Sequence, residues 1–138
     1  MKFLLSSLCL ILAATVAFAA KPVTDITAAL EQAKAENKMV FLEYGREACG
    51  NCQALRAMIK SKKVQLSDSK FVYADVNCDD SATKKVFASK FKVSGNTLPF
   101  VVIVSPDGKQ LASHGGYGTE AEFNKLIKEA SKAAKSGE

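Results

Sequence analysis

The sequence predicts an α/β domain in which a central mixed sheet of about four strands lies between helices on both faces. Three observations point there. Segments of helical and of strand periodicity alternate along most of the chain. The run Phe100-Val101-Val102-Ile103-Val104 is unbroken and mostly β-branched, as a buried core strand requires. It passes through Ser105-Pro106-Asp107-Gly108, with proline and glycine where a type I turn takes them, into another extended segment. That hairpin makes one edge of the sheet antiparallel.

Taken in order, Ile26, Ala29, Leu30 and Ala33 recur at i, i+3, i+4 and i+7 behind Asp25, a good N-cap residue, so a first helix is expected to end near Asn37. Residues 39–44 form a short apolar run, read as a buried strand, that leads straight into Gly45-Arg46-Glu47-Ala48-Cys49. From Gly50 the helical period returns, with Leu55, Met58 and Ile59 on one face. Lys60, Lys62 and Lys63 gather where the C-terminal end of a helix favours cations. Residues 71–76 read as a second strand, and 81–91 as a helix with Phe87 and Phe91 one turn apart. Residues 100–104 are the core strand and 109–113 its hairpin partner. Thr119 with Glu122 three positions on is a capping-box pattern, continued by Phe123, Leu126, Ile127 and Ala130 on one face. Residues 20–24 leave little room for a strand ahead of the first helix.

The chain opens with Lys2, an apolar stretch over 4–16 interrupted by Ser6 and Ser7, and the small-residue site Ala17-Phe18-Ala19. This is the layout of a secretory signal peptide over residues 1–19, with cleavage expected after Ala19 and one domain over 20–138. Cys9 then falls in the discarded apolar core. Polar Lys21-Pro22-Val23-Thr24 follows at once, so no membrane anchor is expected after cleavage. The last four residues, Lys135-Ser136-Gly137-Glu138, do not form an endoplasmic-reticulum retention signal, which favours a periplasmic or secreted location. The formal charge of +5 becomes +4 without Lys2, and the basic residues are spread along helices rather than blocked together. A solvated surface is the expected reading, not nucleic-acid or membrane binding.

The expected mature chain keeps Cys49, Cys52 and Cys78, an odd number that cannot be a purely structural disulfide set. A domain of this size buries a core without staples, so its thiols are free for chemistry. Cys49 and Cys52 stand at a strand-to-helix junction. A helix N-terminus lowers a cysteine pKa from about 8.5 towards about 3.5–7.5 in such motifs. Cys49 is therefore read as the attacking nucleophile, and Cys52, one turn inward, as the thiol that resolves the mixed disulfide. A rival use is zinc, with Cys49, Cys52, Cys78 and His114 as four ligands. Structural zinc sites usually pair two closely spaced couples, whereas Cys78 and His114 are single and far apart, so dithiol chemistry is preferred. A binding or chaperone module with a static disulfide is the remaining alternative.

The segment Val40-Phe41-Leu42-Glu43-Tyr44-Gly45-Arg46-Glu47-Ala48-Cys49-Gly50-Asn51-Cys52 resembles the active-site strand and turn of thioredoxins. The resemblance continues through residues 71–77 and Thr97-Leu98-Pro99-Phe100 to Gly108 and Gly116. It is nearest to exported thioredoxin-like domains and to the periplasmic thioredoxin-like domain of transmembrane disulfide reductases, and it implies the thioredoxin fold. The activity implied is thiol–disulfide oxidoreduction, of the reductase or isomerase type, by a monomer needing no organic cofactor or metal. The implied partners are protein thiol or disulfide substrates and a redox partner protein. Pro99 matches the family's cis-proline, which faces the dithiol and holds an extended substrate through the backbone of the preceding residue, here Leu98. Glu43 falls where thioredoxins carry a buried aspartate that exchanges a proton with the resolving cysteine. Two readings of Glu43 stand side by side: that buried carboxyl, or a side chain turned outward or paired with a lysine. The family's tryptophan before the first cysteine is replaced by Ala48, and Asn51 stands where proline is common. Cys78 is expected to be a buried or incidental free cysteine, in preference to one that forms an intermolecular or regulatory disulfide, and His114 an ordinary surface histidine.

Overall fold

The computed structural model describes residues 21–137, so the expected signal peptide, its cleavage site at Ala19 and Cys9 lie outside the described residues. Eight elements follow one another: α1 (Ile26–Glu36), β1 (Met39–Gly45), α2 (Gly50–Lys60), β2 (Phe71–Asn77), α3 (Ser81–Lys90), β3 (Phe100–Val104), β4 (Gln110–Gly115) and α4 (Glu120–Ser136). The helix ends follow from local chemistry. The Asp25 carboxylate accepts from the Ala28 N–H at 2.8 Å, and α1 stops at Asn37, one of the few residue types that takes the left-handed conformation easily, here with φ 52°. Thr119 and Glu122 form the reciprocal capping box at the start of α4, a cap worth about 1 kcal/mol.

The strands form one sheet in the order β2-β1-β3-β4. β1 pairs with β2 in parallel and with β3 antiparallel, and β4 closes the hairpin at one edge. A register shift between Ile103 and Val104 lets β4 run over Gln110–Gly115, later than the hairpin partner expected at 109–113. Ahead of α1 the chain contributes a single parallel bridge, Val23 to Ala74, with Val23 N–H donating to Tyr73 and Asp75 N–H donating back to Val23, each at 2.9 Å.

Two apolar layers hold the helices to the sheet, and strand alternation decides which side chain enters which. Val40 and Leu42 of β1 point to the layer shared with Ile26 and Ala29 of α1 and Phe87 of α3. Met39 and Phe41 point to the other, shared with Leu55 of α2 and Phe123 and Ile127 of α4. Because β1 is central, both of its faces are covered. Glu43 and Gly45 continue the Met39, Phe41 alternation and so face α2.

The parallel strands end together, Gly45 beside Asn77. The residues that follow, the turn to Cys49 on one side and Cys78 on the other, leave the sheet at the same edge. Cys78 N–H donates to the Gly45 carbonyl at 2.7 Å. β3 begins at that edge as well, since Phe100 lies opposite Tyr44 and Gly115.

Candidate active site

Cys49 is the N-cap of α2, in extended conformation with φ −106° and ψ 111°. Its sulfur accepts from the Cys52 N–H at 3.2 Å, so it occupies the place of the capping oxygen that Ser or Asp usually supplies. No acidic residue sits in the first turn of α2, which leaves the positive end of the helix dipole unopposed there. Cys49 and Cys52 are joined as a disulfide, with Cα atoms 5.2 Å apart. Cys49 is half-buried, whereas Cys52 is fully buried. The turn before Cys49 is tied to the helix it caps: Gln53 Nε2 donates to the Glu47 carbonyl at 2.8 Å.

Beneath the disulfide lies Glu43, fully buried in β1. The outward reading of this residue is thereby corrected, and its cationic neighbour is Arg56 rather than a lysine. A Cβ placed on Gly45 would lie 2.7 Å from Cys52 Sγ and 3.6 Å from Glu43 Oε1, so sulfur and carboxyl oxygen both border the space that the missing side chain of this glycine leaves. Glu43 Oε2 accepts from the Tyr73 hydroxyl at 2.8 Å. Arg56 Nε approaches Glu43 Oε1 at 3.4 Å and Asp75 Oδ2 at 2.8 Å. Burial pushes the Glu43 carboxyl up from 4.5 to about 7; the Tyr73 hydrogen bond pulls it back, Asp75 adds to the rise and Arg56 opposes it. The Tyr73 hydroxyl is pushed far upward too, first by burial and then by Glu43, so it acts as a donor throughout the accessible range.

Pro99 is buried and the Leu98–Pro99 peptide is cis, the isomer the resemblance implies. Continuing the Tyr44–Phe100 register by one step sets Pro99 beside Gly45, at the strand end nearest the disulfide. The Pro99 carbonyl accepts from Gly116 N–H at 2.8 Å, which fixes this loop to the end of β4. Leu98 is half-buried and lines a cavity of about 310 Å³ together with Tyr44, Cys78, Phe87 and Thr97.

Cys78 is a free thiol, 3% exposed, in keeping with the buried reading. His114 departs from the expectation of a surface residue. It is half-buried, its Nε2 lies 3.1 Å from the Tyr117 carbonyl oxygen, and its ring meets Phe123 edge-on at 5.1 Å. Among the described residues no three His, Cys, Asp or Glu side chains converge as a metal site would need, so Cys49, Cys52, Cys78 and His114 do not form one ligand set.

Sequence reasoning missed Tyr73, Arg56 and Asp75. The available signals were the position of Arg56 four residues after Cys52, on the same side of α2, and the alternation of Tyr73 with Asp75 on one face of β2.

A family profile described as a thioredoxin-like domain matches residues 26–131. No curated protein matches the sequence. Among solved structures the chain is similar to one from a complex of ferredoxin:thioredoxin reductase with thioredoxin f2, with TM-score 0.62 and 18% identity over 80% of this chain and 94% of that one. It is similar also to a mutant thioredoxin from Halobacterium salinarum, with TM-score 0.58 and 24% identity over 80% and 94%. A third likeness is to the germline-specific thioredoxin Deadhead of Drosophila melanogaster, with TM-score 0.59 and 20% identity over 79% and 97%. At these identities the structural likeness speaks for the fold, while the profile covers most of the chain, the disulfide at the start of α2 included. The chain belongs to the thioredoxin-like domain family.

Proposed function

We propose that the protein is an exported thiol–disulfide oxidoreductase that exchanges electrons with protein disulfides through Cys49 and Cys52. The observation that carries this reading is the Cys49–Cys52 pair at the N-cap of α2, one sulfur near the surface and the other buried beside Glu43. In the reducing direction the Cys49 thiolate attacks one sulfur of a substrate disulfide. That S–S bond breaks, a mixed disulfide forms, and the first substrate thiolate leaves to take a proton from solvent. Cys52 then gives its proton to Glu43 and attacks Cys49 Sγ. The second substrate thiolate leaves, and the Cys49–Cys52 bond is restored. Two electrons have passed from the dithiol to the substrate, and a redox partner protein that reduces the new disulfide completes the cycle. Run backward, the same steps oxidise a substrate dithiol. Leu98 and Pro99 hold the substrate segment in this scheme, its backbone along Leu98 and a side chain towards the neighbouring cavity.

Equilibration in glutathione buffers, with the dithiol counted by alkylation and mass, tests the reading against a static staple. A working pair is expected to follow a two-electron curve between about −120 and −270 mV, the span of such dithiols. A bond that stays closed to below about −300 mV would make it structural.

Export is supported by Lys2, the apolar stretch and Ala17-Phe18-Ala19 ahead of the folded domain. Expressed whole in a bacterium, the protein is expected in the periplasmic or culture fraction with a mass that begins at Ala20. A cytoplasmic protein retaining residues 1–19 would end the export reading. The domain acts as a monomer in this proposal.

A further inference from the structure

Among the described residues two buried side-chain atoms have no hydrogen-bond partner, Glu43 Oε1 and Arg56 Nε, and they lie 3.4 Å apart. The other carboxyl oxygen, Oε2, is held by the Tyr73 hydroxyl. Arg56 is committed elsewhere: Nη2 donates to Asp75 Oδ1 at 3.0 Å, and Nε, although its N–H is aligned with neither carboxylate, sits 2.8 Å from Asp75 Oδ2. The carboxyl of Glu43 is therefore fixed at one oxygen and open at the other. The open oxygen is the one that borders the Gly45 space, where Cys52 Sγ also lies.

We propose that Tyr73, Arg56 and Asp75 form a positioning device that turns Glu43 Oε1 towards Cys52 and keeps the guanidinium from capturing it. An arginine left alone with a buried carboxylate closes into a two-pronged ion pair, which would occupy both oxygens and hold the group ionised. Asp75 prevents this by competing for the same fork. Its side chain is 21% exposed, and in register it lies directly beside Glu43. Tyr73, two residues before it on the same face of β2, takes the remaining oxygen.

The groups facing Glu43 are few. β2 presents Tyr73 and Asp75, and α2 presents Cys52 and Arg56, with Glu47 behind Arg56 at 3.7 Å. β3 presents Val101, and beyond it β4 places His114 two strands away against Phe123 of α4.

The proposal rests on Glu43 as the proton acceptor of Cys52, so the experiment separates the two. The Glu43 carboxyl is titrated by carbon-13 NMR in the oxidised protein, where the thiols cannot titrate. Y73F and R56Q each remove a group that favours the carboxylate and are expected to move the midpoint up by about one pH unit; D75N removes a competitor and is expected to move it down by a similar amount. The pH profile of disulfide reduction should move in the same directions, and R56K should return part of the R56Q shift. R56K and Y73F carry the test should R56Q fail to fold. Midpoints that stay in place, or that all move one way as general loosening would cause, overturn the proposal. If the midpoints move as expected while E43Q keeps the wild-type pH–rate profile, the proton role of Glu43 fails, and the positioning role fails with it.

Discussion

Cys49→Ser is expected to lower the rate of insulin-disulfide reduction by about 10³-fold or more, the scale on which losing a nucleophile acts in other enzymes. A serine hydroxyl can still accept the Cys52 N–H and cap α2, so the fold is kept. It does not ionise near neutral pH and forms no S–S bond. Cys52 is fully buried and cannot reach an external disulfide in its place. Cys52→Ser tests the second half of the reaction. Attack by Cys49 proceeds, nothing resolves the mixed disulfide, and the adduct should persist on a non-reducing gel with the mass of protein plus substrate. Cys78 is 3% exposed and its backbone is held to Gly45, so peptide mapping of the adduct should place the substrate on Cys49 and find Cys78 unmodified. An undiminished rate in Cys49→Ser would overturn the assignment of the nucleophile.

The sequence was most legible where a local rule decides the outcome. Asp25 and Thr119 cap the helices they precede, and the core strand over 100–104 has the bounds its apolar run implies. The edge strand moved because a register shift depends on the partner strand, which no local pattern records. Glu43 was illegible for a related reason. Alternation reports a face only when one side of a strand meets water, and β1 is covered on both sides, so Val40, Phe41 and Leu42 are all buried and carry no phase. The neighbours of Glu43 come from α2 and β2, and their meeting is a product of the parallel pairing of β1 with β2. His114 reads as a polar residue near a turn, and only the packing of α4 on β4 brings Phe123 against its ring. The pair of cysteines was legible because three residues at a strand-to-helix junction fix both partners locally, whereas the acid beside them is fixed by tertiary structure alone.

Glu43→Gln is expected to remove a falling limb from the pH dependence of stability of the oxidised protein. The sign follows from the direction of the shift. Burial raises the folded-state pKa from 4.5 to about 7, so the folded protein holds this proton more tightly than the unfolded chain does. The stability gained from the neutral carboxyl is fully present below 4.5 and is lost as the pH rises through about 7, after which the curve is flat. A shift of this size corresponds to about 3 kcal/mol at about 1.4 kcal/mol per pH unit. The side chain is fully buried, so solvent screening does not dilute the effect. Glutamine keeps the shape and an oxygen for Tyr73 but does not titrate. Carboxylates held low elsewhere, Asp80 by its capping of α3 and Glu122 by the Thr119 box, work in the opposite direction at lower pH and cancel between the two proteins. Urea unfolding at pH 5, 6, 7 and 8 should therefore show Glu43→Gln gaining on wild type by about 2.5 kcal/mol across the range, part of the full effect having already been lost by pH 5, and parallel curves would refute the raised pKa. The stability lost above neutrality and the readiness to take the Cys52 proton share one cause. A carboxyl destabilised as an anion by its surroundings is by that measure a stronger base, and at Glu43 the oxygen without a hydrogen bond is the one on the Gly45 side, where Cys52 Sγ also lies.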